Sequence, residues 1–288
     1  MTGRGESNEA LESSILLIDD PADERIAAYR NIREKDVVGR QGCFVAEGKV
    51  VLNLLLSAAR FRAESVLVLE NRLAGLHDLL AKCPRGTPIY VAGAAVMDAV
   101  AGYPVHRGIL AIGRRTVDLS VSDILARLGP RALLVTLCGI ANHDNIGSIF
   151  RNAAAFGADA VLLDQTCCDP LYRKAIRVSV GAALKVPFAR GGTISDLLHE
   201  LETADIDIVA LSPAGRTDIR IAARAKRLSL LLGSEGDGLP RAILDRLQTV
   251  RIPIASDFDS LNVATASGIA LAHFAAPGPP ERLETDDD

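Results

Sequence analysis

The sequence predicts an α/β protein whose carboxyl-terminal half is a parallel sheet with helices on both faces, preceded by a smaller α/β unit. Three observations carry this. Near-continuous apolar runs such as ALLVTL, DAVLLD and LSLLL read as strands buried on both sides. Segments of helical period alternate with them. The chain has 288 residues, which at about 100 to 200 per domain allows two separate cores.

In the first unit, ADERIAAYRNIREKD spaces Ile26, Tyr29 and Ile32 at three-residue steps and reads as an arginine-rich surface helix. The short apolar segment GCFVAEG, the helical KVVLNLLLSAA and the buried strand ESVLVLEN then form a β-α-β unit. The alternation repeats through LAGLHDLLAKC (helix), TPIYVAG (strand), AAVMDAVAG (helix) and RGILAIGRR (strand). TVDLSVSDILARLGPR follows as a short helix closed by Gly129 and Pro130, a stop signal and a natural hinge. The expected organisation is an extension at 1–22, a first domain at 23–116, a linker at 117–130, a second domain at 131–276 and an acidic tail at 277–288.

The second unit opens with the strand ALLVTLCGI, the loop ANHDN and the helix IGSIFRNAAAFG. DAVLLD is a strand, IRVSVGAAL and TISDLLHELETA are helices, and IDIVALS and LSLLLGSEG are strands, the latter ending in a turn. LPRAILDRL (helix), TVRIPI (strand) and NVATASGIALAHFA (helix) complete the pattern. Parallel sheets bind ligands at the carboxyl ends of their strands, which directs attention to three loops at 140–145, 233–238 and 255–262.

Composition narrows the function classes. With 49% hydrophobic and 24% charged residues the chain is not mainly disordered. Its apolar runs fall short of the roughly 18 to 20 residues of a membrane span, and the first residues lack a signal peptide, so a cytoplasmic protein is expected. Lys and Arg number 32 against 36 Asp and Glu, a net charge of −4. The stretch Glu281–Asp288 holds five acids and one base, leaving a neutral body that neither demands nor excludes a basic face. Cys43, Cys83, Cys138, Cys167 and Cys168 include no C-x-x-C pair and no histidine at ligand spacing, so no metal site is expected and the thiols read as reduced core residues.

Each of the three loops carries polar groups. In ANHDNIGSIFRNAAAFG, Asn145 falls at an expected helix N-cap and Arg151 follows six residues on, close to two turns, so that the two share roughly one face. A helix start and an arginine fork suit a phosphate; the plain alternative is a capping Asn and a surface Arg paired with Asp159. LLGSEGDGLP leaves a strand through three glycines beside Glu235, fit either for a ligand against backbone or for a turn capped by Glu235. In IPIASDFDSLNVATASGIALAH, Ser260 and Asn262 stand at the entry of a helix of small residues, as N-caps or as site groups. His106 and His143 flank these loops and read as structural. No G-x-G-x-x-G joins a strand to a helix, which excludes a nicotinamide-linked oxidoreductase.

Together NIGSIFRNAAAFGADAVLL, LLGSEGDGLP and IPIASDFDSLNVATASGIAL, reinforced by CCDPLYRKAIRVSVGAALKVPF, resemble the three motifs of the SpoU (TrmH-like) RNA ribose methyltransferases across residues 132–274. The order of segments in residues 23–115 is similar to the family's ribosomal-protein-like substrate-binding domain. The resemblance implies a trefoil knot in the carboxyl-terminal sheet, a homodimer and a bent S-adenosylmethionine held by backbone around Leu211, Gly233, Ile252 and Leu261. It implies methyl transfer to a ribose 2′-hydroxyl, with Arg151 as the catalytic arginine, Asn145 orienting it, Glu235 as the second-motif acid and Ser260 with Asn262 as the third-motif polar pair.

A guanidinium rarely yields its proton, so Arg151 reads as a phosphate-holding group rather than a base. RNA contacts are expected from Arg25, Arg30, Arg33, Lys35 and Arg40 in the first domain and Arg173, Lys174 and Arg177 in the second, where the alternative is a solvated charged face. The RNA partner is expected to be rRNA, with tRNA as the competitor. The alternative function is a catalytically silent RNA-binding or ribosome-assembly factor.

Overall fold

The computed structural model describes residues 14–30, 42–102, 107–255 and 257–275. The expected RNA contacts Arg33, Lys35 and Arg40, as well as His106 and the acidic tail, lie outside the described residues. The first unit runs β1 (Ile15–Ile18), a 3-10 turn (Glu24–Tyr29), β2 (Cys43–Glu47), α1 (Lys49–Ser57), β3 (Phe61–Leu69), α2 (His77–Leu80), β4 (Ile89–Ala92), α3 (Ala94–Ala101) and β5 (Ile109–Arg115). Its sheet has the order β1-β4-β3-β5-β2. β5 is antiparallel to both β3 and β2, so the β2-α1-β3 crossover spans one inserted strand.

Three sequence expectations change here. Ile15–Ile18 was assigned to an extension but pairs in parallel with β4 at the sheet edge, where a four-residue strand needs only one partner. The surface helix is a 3-10 turn with Ile26 and Tyr29 fully buried, because a three-residue repeat is the 3-10 period. The helix expected over LAGLHDLLAKC is a 3-10 turn at Ala74–Leu76 followed by the single turn of α2.

The second unit runs α4 (Val121–Leu125), β6 (Ala132–Leu137), α5 (His143–Ala155), β7 (Ala160–Leu163), α6 (Arg173–Val178), α7 (Ala182–Lys185), β8 (Phe188–Arg190) and α8 (Ile194–Thr203). β9 (Asp207–Leu211), β10 (Thr217–Asp218), β11 (Arg227–Leu232), α9 (Arg241–Arg246), β12 (Gln248–Arg251) and α10 (Val263–Phe274) follow. The seven strands take the order β10-β12-β9-β11-β6-β7-β8, all parallel. Alternate residues of β6 feed the two faces: Leu133, Val135 and Leu137 join α5, α6, α7 and α10, whereas Leu134 joins α4, α8 and α9. The single helix expected over IRVSVGAAL breaks into α6 and α7 at Val180 and Gly181, whose φ values are 52° and 83°.

The two units share one buried cluster, from Phe44, Leu55 and Phe61 to Ile146, Phe150 and Phe188. Polar ties cross the same boundary. Arg173 Nη2 meets Glu47 Oε2 at 2.8 Å, Arg115 Nη2 meets Asp169 Oδ2 at 3.1 Å, and Arg60 donates to the Val186 carbonyl at 3.0 Å. Apolar burial across the boundary holds the units together.

Candidate active site

The carboxyl ends of β9, β11 and β12 and the entry to α10 enclose a cavity of about 530 Å³. Leu211, Gly233, Ile252 and Leu261, the expected cofactor positions, all line it, as do Glu235, Ser260 and Asn262. Asn145 and Arg151 are not among the lining residues. The glycines of this region have definite tasks. A Cβ on Gly233 would lie 2.6 Å from the Leu239 nitrogen, and one on Gly215 would lie 2.4 Å from the Val250 carbonyl carbon. Both sites therefore require bare backbone where chain segments touch. Gly236 and Gly238 hold φ at 93° and 68°, which turns the second loop back over the cavity. Sequence reading missed Ser212, Pro213 and Gly215, which precede β10; Pro-x-Gly after a strand was the available signal.

One side chain joins the three segments. Asn262 Nδ2 donates to Asn145 Oδ1 at 3.0 Å and to Glu235 Oε1 at 2.7 Å. Its Oδ1 accepts from the Ala264 and Thr265 nitrogens, so Asn262 is also the N-cap of α10. The N-cap reading of Asn262 from the sequence is met by this geometry. Glu235 accepts from Asn262 and caps no helix among the described residues. Ser260 lines the cavity with no hydrogen-bond partner among the described residues.

Asn145 is not the N-cap: Asn142 caps α5 by accepting from the Asp144 nitrogen, and Asn145 lies within the first turn, 5% exposed. Its Oδ1 is spent on Asn262 and its buried Nδ2 has no partner among the described residues. Arg151 is exposed on the same helix, with no hydrogen bond or ion pair among the described residues. The expectation of one shared face fails because six residues rotate by about 600°, roughly 120° short of two turns. Asp159, the alternative partner for Arg151, instead accepts from the Leu133 nitrogen at 2.8 Å. Gly147 lets α6 cross against α5, since a Cβ there would sit 2.7 Å from the Ala175 carbonyl oxygen.

A buried carboxylate that sequence reading passed over braces the first loop. Asp164 Oδ1 accepts from the nitrogens of Gly139, Thr166 and Cys167 and from Thr166 Oγ1, at 2.7 to 3.3 Å. Burial disfavours this charge, but hydrogen bonds from Thr166, Gly139 and Cys167 outweigh it and hold the pKa below the ordinary range. Burial pushes the Cys138 thiol up to about 11 and moves Cys167 further in the same direction, and none of the five cysteines forms a disulfide.

Several expected RNA contacts are occupied within the protein. Arg25 pairs with Asp23, and Arg30 bonds Glu24 and the carbonyls of Pro21, Ala22 and Asp23. Arg173 is tied to Glu47 across the units. Lys174 pairs with Asp144 at 2.7 Å with half of its side chain exposed, while Arg177 is exposed. His143 packs on the Tyr172 ring with centroids 4.2 Å apart. Among the described residues no cluster of three metal-binding side chains occurs, and no helix is long and apolar enough to cross a membrane.

A cavity over the strand ends of a parallel sheet, closed by loops from three separate segments, defines an α/β protein with a built small-ligand site. Residues 132–272 match the model of the SpoU rRNA Methylase family. The chain is 39% identical over 275 residues to an uncharacterized tRNA/rRNA methyltransferase of Mycobacterium tuberculosis, covering 90% of this chain and 93% of the relative. It is 30% identical to the 23S rRNA (guanosine-2′-O-)-methyltransferase RlmB of Escherichia coli, covering 75% of this chain and 91% of that one. The fold matches the AdoMet-bound rRNA methyltransferase of Sinorhizobium meliloti with a TM-score of 0.78 and 23% identity, over 90% of this chain and 97% of the other. The chain belongs to the SpoU rRNA methylase family, a family of RNA methyltransferases.

Proposed function

We propose that the protein transfers a methyl group from S-adenosylmethionine to a ribose 2′-hydroxyl of RNA, with rRNA as the preferred substrate and tRNA as the competitor. The observation that carries this reading is the Asn262 bridge, which ties Asn145 and Glu235 together at the cavity that Leu211, Gly233, Ile252 and Leu261 line. The relative from Escherichia coli is named as a 2′-O-methylating enzyme of 23S rRNA, which supports the choice of atom and substrate.

The residues present fit the cofactor. Leu211, Ile252 and Leu261 offer apolar walls, and the bare backbone at Gly233 admits close approach. When bound, S-adenosylmethionine supplies an electrophilic methyl group on a sulfonium. The chain's own groups then position the acceptor. Asn262 fixes the flip of the Asn145 amide by donating to its Oδ1. The same donation holds Glu235 at the cavity rim. Arg151, unpaired and exposed, holds an RNA phosphate near the reacting ribose, and that phosphate or a water takes the hydroxyl proton. Ser260 supplies a further hydroxyl at the rim.

A knotted sheet, a homodimer built through the second unit and a cytoplasmic setting belong to the same proposal. Titration calorimetry with S-adenosylmethionine, followed by ribose-methylation mapping of total RNA with and without the protein, tests it. One added 2′-O-methyl site is the expected result. A chain that binds RNA but takes no S-adenosylmethionine is instead the catalytically silent RNA-binding or assembly factor.

A further inference from the structure

One end of the first unit's sheet carries cations that nothing in the proposed reaction uses. Gly48, Leu69 and Gly108 lie side by side there: the Gly48 nitrogen donates to the Ile109 carbonyl at 3.1 Å, and the Leu69 nitrogen donates to the Gly108 carbonyl at 2.9 Å. Arg107 lies directly on Gly48, since a Cβ on that glycine would meet Arg107 Cδ at 2.8 Å. Arg72 lies on Gly108 in the same way, with Cγ 2.7 Å from where a Cβ would stand. Both glycines hold a positive φ, 94° and 65°, so each position favours the residue without a side chain and leaves a shelf for the neighbouring arginine stem. Arg72, Arg107 and Lys49 are exposed and have no carboxylate or carbonyl partner among the described residues.

The shelf connects to the candidate active site by named contacts. Glu47, which precedes Gly48, pairs with Arg173 at the start of α6. Lys174 pairs with Asp144, the neighbour of Asn145, and Asn145 is bridged by Asn262 to Glu235. Arginine stems already lying on backbone give up less freedom on binding than free ones, which favours them as anion contacts.

We propose that Lys49, Arg72 and Arg107 form the first unit's contact with the RNA phosphodiester backbone, in place of Arg25 and Arg30, whose donors are spent on Asp23, Glu24 and neighbouring carbonyls. This inference rests on the RNA-methyltransferase reading above. It assigns a surface of the first unit to RNA.

The test uses the full chain with fluorescently labelled large-subunit rRNA as the probe. Affinity is measured over a range of salt concentrations for the wild type, for K49Q/R72Q/R107Q and for R25Q/R30Q. Calorimetry with S-adenosylmethionine on each protein reports whether the distant cavity, and hence the fold, is intact. The expected result is an affinity loss of about tenfold or more for the triple variant and a salt slope smaller by about 2, as fits two or three lost phosphate contacts. R25Q/R30Q is expected to keep the wild-type slope, and R72K/R107K to recover most of the affinity. Equal losses in both glutamine variants mean general charge attraction and overturn the assignment, as does a triple variant with wild-type affinity and slope. A wild type that takes S-adenosylmethionine but no RNA overturns the shelf alone. A wild type that takes neither overturns the functional reading and the shelf with it. Should the triple variant fail to fold, the single variants K49Q and R107Q carry the same comparison.

Discussion

Asn262 and Asn145, 117 positions apart in the chain, share a hydrogen bond of 3.0 Å in which the Asn262 amide nitrogen is the donor. The same nitrogen reaches Glu235 at 2.7 Å, and the opposite end of the same side chain caps α10. Substitution separates these duties. Asn262→Asp keeps an acceptor for the cap and is expected to cost less than about 1 kcal/mol of stability. It replaces a donor by a second carboxylate against Glu235 and so is expected to abolish most activity at neutral pH. One of two facing carboxyls takes up a proton as the pH falls, so the variant's activity relative to wild type is expected to rise toward acid. A methyl-transfer pH profile for both proteins checks this, and a flat ratio rejects it.

Gly147 sets two effects against each other. Within a helix, alanine is favoured over glycine by about 1 kcal/mol. A Cβ at this position, however, would stand 2.7 Å from the Ala175 carbonyl oxygen and 2.8 Å from Val178 Cβ. Backbone oxygen cannot step aside without moving α6, and overpacking of this kind costs about 1 to 3 kcal/mol. The net cost of about 0 to 2 kcal/mol means that Gly147→Ala is expected to lower the melting temperature by up to about 8 °C, taking roughly 2 to 4 °C per kcal/mol for a chain of this size. A rise in melting temperature would show that propensity wins over packing.

The alternation of apolar runs made most strands and helices legible, since the central strands β6, β7 and β11 of the second sheet are buried on both faces and read as short apolar runs bounded by turn signals. The cavity-lining loops at 233–238 and 255–262 were legible because each follows a strand, whereas Ser212 and Pro213 were missed and the loop at 140–145 is not part of the lining. What periodicity did not carry was contact between segments. Gly147 and Gly215 read as ordinary glycines until the backbones they touch are known, and Asp164 reads as a surface acid at a strand end although it is 4% exposed. β8 and β10 escaped notice because three residues and two residues hold no period. Arg151 was given the right helix and the wrong face because six residues are not two turns.

Arg151 lies outside the cavity lining, so its removal is expected to leave S-adenosylmethionine affinity unchanged. A guanidinium holds a phosphate through two parallel bonds, and lysine keeps the charge without that geometry. Arg151→Lys is expected to lower turnover by about 10²-fold, comparable to the loss of one preorganised donor. Single-turnover rates beside calorimetric cofactor affinities test the split; near-normal turnover in the lysine variant removes the bidentate role.

Asp164 offers a prediction about acid stability. Its folded-state pKa lies below the unfolded value, so its contribution is fully present above the unfolded pKa and is lost as pH falls through the folded one. In Asp164→Asn the amide oxygen can take the place of Oδ1, which accepts from Gly139, Thr166 and Cys167, but the bonds lose their charge assistance. Exchanging charge-assisted bonds for weaker ones is expected to cost about 1 to 3 kcal/mol near neutral pH. The variant is also expected to lose less stability than wild type on acidification, because the titrating group is gone. Gly139 stands against Ser234, with a Cβ on the glycine placed 3.5 Å from Ser234 Cβ, so loosening of this loop reaches the one that carries Glu235. The variant's S-adenosylmethionine affinity is therefore expected to fall along with its stability, and urea unfolding from about pH 2 to 7 beside calorimetry at pH 7 measures both. A loss of stability with unchanged cofactor affinity would separate the Asp164 brace from the cavity.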